Sequence, residues 1–211
     1  GLGGSEMCIR DRGRTQTWYC GTGENYGVVS GTSFEALLPG DGIFKSTDGG
    51  LSWNRLSSTV SNDPQIFDMK GAFKHVNSIV VDPLRMDSDI VVAAIFDGIV
   101  RSNDGGATWS TVLGLDTSIT ATSLYTEVRV SSTGIYYAAI GNGATYRGIY
   151  RSSDGLTWAK IGVGVYPAAA ERTVIAIDPN DENRVWFFCE SPGVGTRGHS
   201  LYKYGYLSGD G

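Results

Sequence analysis

Short apolar runs, separated by turn-forming residues, recur along the chain and predict β-strands. Four of them are strongly apolar and lie at residues 18–20, 90–96, 135–140 and 185–189. An alternating run precedes each of the last three, and Gly, Asn, Asp and Ser fill the intervals. Such runs of four to eight residues are typical of strands, and no segment shows the period of an amphipathic helix. The pattern predicts an all-β protein.

Three segments repeat one pattern, Gly-Ile-x-(Lys/Arg)-Ser-x-Asp-Gly followed by Trp. They cover residues 42–53, 98–109 and 148–158, and a degenerate fourth copy lies at 200–204. With the flanking runs, each unit has four short strands in about 50 residues, which is typical of a β-propeller. We therefore expect a β-propeller fragment of about four four-stranded blades. The expected blades are residues 14–60, 72–114, 122–162 and 171–211.

The polar residues of the repeated pattern suit a tight turn between two strands. An Asp or Ser side chain accepts hydrogen bonds from backbone N–H groups in such a turn, and glycine permits positive φ. The Trp begins the next strand and packs under the hairpin. The residues expected to build these turns are Ser46, Asp48, Gly50, Trp53, Ser102, Asp104, Gly106, Trp109, Ser152, Asp154, Gly155 and Trp158.

At these residues the chain resembles the Asp-box, or BNR, repeat of sialidases, xyloglucan-active glycoside hydrolases, sortilin-type receptors and secreted bacterial propellers. The resemblance covers residues 14–211. The Asp-Pro pairs at 82–83 and 178–179 look most like secreted propeller proteins that carry a C-terminal sorting domain. The resemblance to the Asp-box repeat implies a secreted or cell-surface location and a structural, non-catalytic role for the Asp-box carboxylates.

Residues 1–12 do not fit the repeat. They show neither strand alternation nor a helical stripe, and they resemble a translated sequencing adapter. We therefore expect 1–12 to be an artefactual, disordered leader, the alternative being a genuine disordered N-terminus, and 13–211 to be a partial propeller. Unit one would then lack its first strand. Open apolar sheet faces are expected near Trp18 and Tyr19 and near Trp186 and Phe188, where the remaining blades of the parent chain would pack.

Charge and composition narrow the function classes. Seventeen basic and 22 acidic residues give a net charge of −5, so a nucleic-acid partner is not expected. No apolar run reaches the roughly 18 residues of a membrane span. Neither histidine belongs to a metal-binding motif and no nucleotide loop is present, so no metal or cofactor is expected. Cys20 and Cys189 occupy equivalent strands of distant units and are expected to be buried thiols rather than a disulfide.

The long connections define a candidate binding end. With the strands of a unit called A to D, a meander places the Asp-box (C–D) turns and the A–B turns at one end and the B–C and D–A loops at the other. Long loops on a rigid scaffold commonly bind ligands. The candidate residues there are Glu24, Tyr26, Asp41, His75, Tyr146, Arg147, Glu190, Arg197 and His199, with Phe34, Glu35, Asp68, Lys70, Phe73, Asn142, Tyr166 and Arg172 as further members.

Aromatic and mixed-charge loops suit a carbohydrate or a peptide. Hydrolysis would need two carboxylates about 5–10 Å apart, for which the sequence offers Glu24, Asp41, Asp68 and Glu190. The Arg-Ile-Pro element that usually opens sialidase chains is absent. We expect a non-catalytic scaffold that binds a glycan or protein partner through the long-loop end. A fragment of an Asp-box glycoside hydrolase and an intracellular assembly-factor propeller remain open as alternatives.

Overall fold

The described part of the chain contains seventeen strands. The computed structural model describes residues 8–10, 16–28, 35–60, 71–85, 89–115, 125–141, 145–167, 170–193 and 196–207. Two short 3₁₀ helices, Ser57–Thr59 and Ala72–Lys74, accompany the strands. The strands are β1 Cys8–Arg10, β2 Trp18–Gly21, β3 Glu24–Val28, β4 Glu35–Leu38, β5 Ile43–Ser46, β6 Asn54–Arg55, β7 Val76–Val81, β8 Val91–Ile95, β9 Gly98–Ser102, β10 Ser110–Gly114, β11 Thr126–Val130, β12 Tyr136–Ile140, β13 Gly148–Ser152, β14 Ala159–Ile161, β15 Thr173–Asp178, β16 Asp181–Gly193 and β17 Thr196–Gly205.

The strands form four successive antiparallel sheets, which we call blades 1 to 4. Their strand orders are β1-β2-β5-β6, β7-β8-β9-β10, β11-β12-β13-β14 and β15-β16-β17. The β3–β4 hairpin is a separate excursion between the second and third strands of blade 1. Sheets of three or four strands in tandem confirm the prediction of an all-β, propeller-type fold with about four blades.

The cores lie between the blades. One cluster joins Tyr19 and Ile43 of blade 1 to the β7–β9 side chains of blade 2. A second joins blades 2 and 3, and a third joins blades 3 and 4. Every residue of β8, β9 and β12 is buried. These strands lie between two neighbouring sheets, so β8 and β12 are continuous apolar runs rather than clean alternations, whereas β9 ends in the buried polar residues Arg101 and Ser102.

Blade 1 contains a first strand that the sequence did not predict. Residues 8–10 pair with β2, with Cys8 opposite Cys20 and Arg10 opposite Trp18. The prediction that unit one lacks its first strand is therefore wrong. Backbone hydrogen bonding can add a short strand to a sheet edge whatever its side-chain pattern, so the absence of alternation did not exclude it. The side chains of 1–12 lie outside the described residues, and the assignment of this segment as an artefact stays a prediction.

The two sides of blade 1 also differ from expectation. Tyr19 is fully buried in the core between blades 1 and 2, so the expectation that it lies on an open sheet face is wrong. Consecutive strand residues point to opposite faces, and Trp18, which faces away from blade 2, is half-buried. In blade 4 the expected open face is present, because 48% of the Phe188 side chain is exposed.

Candidate functional site

Three C–D loops, which we call the Ser-x-Asp loops (residues 46–53, 102–109 and 152–158), share two hydrogen bonds: one from Ser to Asp and one from a glycine N–H to Ser. In the loop of blade 2, Ser102 Oγ donates to Asp104 Oδ1 at 2.8 Å and accepts from the Gly106 N–H at 2.7 Å. Asp104 also accepts from the backbone N–H and the hydroxyl of Thr108. The loops of blades 1 and 3 repeat the Ser-to-Asp bond at 2.7 and 2.9 Å. The carboxylates are thus saturated by their own loops.

Hydrogen bonding lowers the pKa of these carboxylates. The pKa of Asp48 and that of Asp104 are lowered to about 2, first by the hydroxyl bonds from Ser52 and Thr108 and then by backbone N–H donors. For Asp154, partial burial acts to raise the pKa, but the donors of Thr157, Leu156 and Ser152 outweigh it and lower the pKa. Each group is therefore an ionised acceptor over most of the pH range, which suits a turn and not a general acid.

The loop of blade 2 is also held by blade 1. Lys45 Nζ and the Tyr19 hydroxyl both reach the Gly105 carbonyl at 3.3 Å and Asp89 Oδ2 at 3.0 and 2.8 Å. Gly106 has a φ of 93°, and a Cβ there would lie 2.4 Å from the Leu56 side chain. The Ser-x-Asp loop is therefore part of the contact between blades.

At the opposite end, the β3–β4 excursion is anchored where it leaves and rejoins blade 1. Thr22 Oγ1 donates to the Gly42 carbonyl and accepts from the Asp41 N–H, each at 2.7 Å. Gly40 N–H donates to the Lys74 carbonyl at 2.7 Å. Gly23, at a φ of 97°, packs so closely on that carbonyl that a Cβ would lie 1.9 Å from the oxygen. The excursion thus starts beside the segment that leads into blade 2.

His75 lies in that segment and does not face a ligand-accessible surface. Its side chain is buried, its ring centroid is 6.3 Å from that of Phe96, and its Nδ1 has no hydrogen-bond partner within the described part of the chain. Burial, with a smaller contribution from Lys74, lowers the pKa of His75. The prediction that His75 belongs to the binding residues of the long-loop end is therefore wrong, because its side chain packs at the junction of blades 1 and 2.

The other candidates are spread along the long-loop end. Asp41 forms an exposed ion pair with Arg55 at 2.6 Å. Glu190 and His199 are directly opposite each other in the β16–β17 pairing, so residues 190–199 are largely a β-hairpin and not the expected loop. His199 stacks on Phe188 with ring centroids 5.6 Å apart. The side chains of Glu24, Tyr26, Glu35 and Arg197 and residues Phe34, Asp68, Lys70 and Asn142 lie outside what the structure describes.

Cys20 and Cys189 lie in the strands expected for them. Cys20 is in β2 and Cys189 is in β16, and both are free thiols. Cys189 is fully buried in the β16 strand, and this burial raises the pKa of its thiol. Cys20 is half-buried.

Blade 3 carries a cavity of about 230 Å³ at the long-loop end. It lies between the B–C connection, represented by Thr145 and Arg147, and the D–A connection, represented by Val163, Tyr166 and Pro167, and Lys160 of β14 completes its polar lining. Among the described residues that line it, none is a carboxylate. The cavity thus combines two cationic side chains, one phenol and one hydroxyl.

The polar groups of this cavity, which we call the blade 3 pocket, are held by local bonds. Lys160 Nζ donates to the Arg147 carbonyl at 2.6 Å, and this bond ties strand D to the B–C connection. The Tyr166 hydroxyl is hydrogen-bonded to Thr173 Oγ1. Burial is the main reason that the pKa of Tyr166 rises to about 12, so the phenol stays protonated. The neighbouring Tyr146 leaves 42% of its side chain exposed.

Sequence reasoning found part of this pocket. Arg147 and Tyr166 were predicted at the long-loop end, and the structure brings them to one cavity. Lys160 was missed because it belongs to a strand, and only its long side chain extends to the loop end. No cluster of three His, Cys, Asp or Glu side chains suited to a metal ion occurs among the described residues. The described part of the chain also has no helix long and apolar enough to cross a membrane.

Comparison with known proteins gives a distant structural likeness. No family model and no curated protein matches the chain. It is similar in fold to the alpha-L-arabinofuranosidase Arb93A from Fusarium graminearum in complex with an iminosugar inhibitor, with 16% identity and a TM-score of 0.46 over 93% of this chain and 60% of that one. A point mutant of that arabinofuranosidase, also with an iminosugar inhibitor, gives 15% identity and a TM-score of 0.40, over 95% of this chain and 65% of that one. The chain therefore spans less than two thirds of the length of these two structures.

Proposed function

We propose that this propeller is a non-catalytic binding module whose long-loop end takes a carbohydrate, with the blade 3 pocket as the contact point. The observation that carries the proposal is the lining of the pocket: Arg147, Lys160 and Tyr166 converge on one cavity of about 230 Å³. A concave site with a few convergent polar groups on a rigid scaffold is the usual form of a small-ligand site.

The chemistry of the lining favours a sugar that carries an acidic group. Guanidinium and ammonium groups donate charge-assisted hydrogen bonds to carboxylates, and such bonds are among the strongest that a protein surface makes. The lining residues that the structure describes include no carboxylate that would repel an anion. The exposed ring of Tyr146, between two lining residues, offers an apolar surface for a sugar ring. A uronic-acid-containing oligosaccharide is therefore the ligand class we expect.

The three Ser-x-Asp loops support assignment of the repeats to the Asp-box type, since one set of bonds recurs in blades 1 to 3. That assignment carries the proposal of a secreted or cell-surface location. The strand order supports a second point, because the turns join the third and fourth strands whereas the pocket lies where the third strand begins and the fourth ends. We propose that the turns are structural and that ligand binding is confined to the other end.

Calorimetric titration with matched neutral and uronic-acid oligosaccharides tests this function. We expect binding of the acidic set, and loss of about tenfold or more in affinity for Arg147→Gln and for Lys160→Gln, as expected when one charge-assisted hydrogen bond of about 1.5–3 kcal/mol is removed. Arg184→Gln is the matched control, because Arg184 is paired with Asp178 and Asp181 near the A–B turn of blade 4. Equal weakening by all three variants, or no binding by any sugar, contradicts the proposal.

A carbohydrate-active hydrolase is the second candidate, because it would use the same long-loop end. It needs a carboxylate pair, whereas the acidic candidates with described side chains, Asp41 and Glu190, belong to blades 1 and 4. Release of reducing ends from plant or algal polysaccharide, abolished by Asp41→Asn or Glu190→Gln, would favour the hydrolase over the binding module.

A further inference from the structure

The strand registers show that all four blades present one equivalent face. In each blade, two residues of the second strand lie opposite two residues of the third. The pairs are Tyr19–Lys45 and Gly21–Ile43 in blade 1, Val92–Arg101 and Ala94–Ile99 in blade 2, Tyr137–Arg151 and Ala139–Ile149 in blade 3, and Trp186–Lys203 and Phe188–Leu201 in blade 4. We call this the forward face, since in blades 1 to 3 it packs on the next blade.

The forward face is covered in the first three blades and open in the fourth. Ile43 and Ile99 are fully buried, and Ile149 is 3% exposed. The equivalent Leu201 is 65% exposed, and its cross-strand neighbour Phe188 is 48% exposed. The difference does not lie in residue type, because all of these side chains are large and apolar. Blade 4 therefore carries one half of an inter-blade interface.

The other half is the opposite face of blade 1, which we call the rear face. Its residues Trp18, Cys20 and Phe44 are half-buried. The register-equivalent residues of the later blades, such as Val91 and Ala93 in blade 2 and Val185 and Phe187 in blade 4, are fully buried against the preceding blade. One chain thus contains both halves of the contact that it makes three times internally.

A second copy of this chain is the occupant that fits both faces. We propose that the forward face of blade 4 packs on the rear face of blade 1 of another copy, in the arrangement that joins blades within the chain. In the internal contacts, polar side chains of the forward face form hydrogen bonds with the next blade: Lys45 donates to Asp89, and the Tyr137 hydroxyl donates to the Glu182 carbonyl at 2.9 Å. In blade 4, Lys203 is equivalent to Lys45 and Trp186 is equivalent to Tyr137.

This contact is heterologous, since the two surfaces differ. It closes into a ring or grows into an open chain, according to the rotation between copies. A wide apolar sheet face that is exposed in a monomer is normally an interaction site. We therefore expect the average mass of the purified 211-residue chain to rise with concentration in sedimentation velocity.

Two interface variants test the direction of packing. Leu201→Glu places a charge on the forward face of blade 4, and Phe44→Glu places one on the rear face of blade 1. Each variant alone is expected to be monomeric, with self-affinity lowered by about 100-fold or more because a buried charge is left unpaired. Mixed in equal amounts, the two are expected to form a one-to-one dimer through their two intact faces. Leu51→Glu is the control, because Leu51 is 89% exposed at a loop tip.

The outcomes separate the possible occupants. If Phe44→Glu alone still dimerises and the mixture gains nothing, blade 4 pairs with itself and the head-to-tail proposal is overturned. A wild-type chain that stays monomeric at every concentration also overturns it, as does an assembly that Leu201→Glu leaves intact. If Phe44→Glu does not fold, the alkylation rate of Cys20 shows whether the rear face of blade 1 is covered in the assembly. The reaction should be slower in the wild-type assembly than in Leu201→Glu, with the buried Cys189 as internal reference.

Discussion

Two adjacent phenylalanines in β16 allow a direct test of the packing between blades. Phe187 is fully buried in the cluster shared by blades 3 and 4, with its ring centroid 6.4 Å from that of Tyr137. Phe188 points to the forward face of blade 4 and is 48% exposed. The two positions share residue type, strand and chain neighbourhood, and differ in what covers them. Truncation of each to alanine therefore isolates the contribution of the inter-blade contact.

We expect Phe187→Ala to reduce the free energy of unfolding by about 3–5 kcal/mol, the usual cost of removing a fully buried phenylalanine ring. At about 2–4 °C per kcal/mol for a chain of this size, the melting temperature should fall by about 6–20 °C. Phe188→Ala should cost about 1 kcal/mol or less, because solvent already reaches half of its ring.

Urea and thermal unfolding, followed by circular dichroism at low protein concentration, measure both variants. Low concentration matters because Phe188 belongs to the proposed contact between copies, and association would add stability at that position. Equal losses for Phe187→Ala and Phe188→Ala in the monomer would refute the reasoning, since they would mean that both faces of β16 are covered by the same chain.

Three further predictions concern charge and turns. Asp104→Ala should lower the melting temperature by a few degrees. It should leave ligand affinity unchanged, because its loop and the blade 3 pocket lie at opposite ends of the blades. Loss of binding without loss of stability would contradict this prediction. Folding lowers the pKa of Asp48 and that of Asp104 from 3.8 to about 2, so both carboxylates stabilise the fold above pH 4, and this stabilisation should be lost as the pH falls to about 2. The double variant Asp48→Asn, Asp104→Asn should show a smaller loss of unfolding free energy when stability is measured as a function of pH in the acid range. Because burial lowers the pKa of His75 below 6.5, stability should decline as pH falls below that value, and His75→Gln but not the exposed His199→Gln should reduce the decline.

The sequence was sufficient for the fold because each blade has a local signature. Short apolar runs and the alternating runs before them located most strands, and the repeated Gly-Ile-x-(Lys/Arg)-Ser-x-Asp pattern showed that successive units are equivalent. What the sequence could not show was pairing that depends on the backbone alone. β1 is a three-residue strand without alternation, and β16–β17 extends to Gly193 and Thr196 through a segment rich in Gly and Pro. Both were read as irregular because backbone hydrogen bonds leave no side-chain pattern.

The candidate site was predictable only as far as loops could be assigned to one end of the blades. Arg147 and Tyr166 followed from that assignment. Lys160 did not, since a strand residue gives no sign that its side chain will reach the Arg147 carbonyl. His75 was misplaced for the opposite reason: a polar residue in a connecting segment reads as exposed, whereas the segment is covered by Phe96 and the base of the β3–β4 excursion.

The two ends of the blades are under different physical constraints, and this separates stability from recognition. At one end, the Ser-x-Asp loops of blades 1 to 3 share the bond from Ser to Asp and the bond from a glycine N–H to Ser, and the loop of blade 2 is also bonded to blade 1 through Lys45. A change there disturbs the contact between sheets. At the other end, the connection between the second and third strands varies from a two-residue turn after Ile95 to the whole β3–β4 excursion. The sheets keep the same strand order whatever the length of these connections, so this end tolerates changes in length and chemistry. The pocket that we propose as a binding site lies at this end, and its Tyr166 also packs against the cluster between blades 3 and 4.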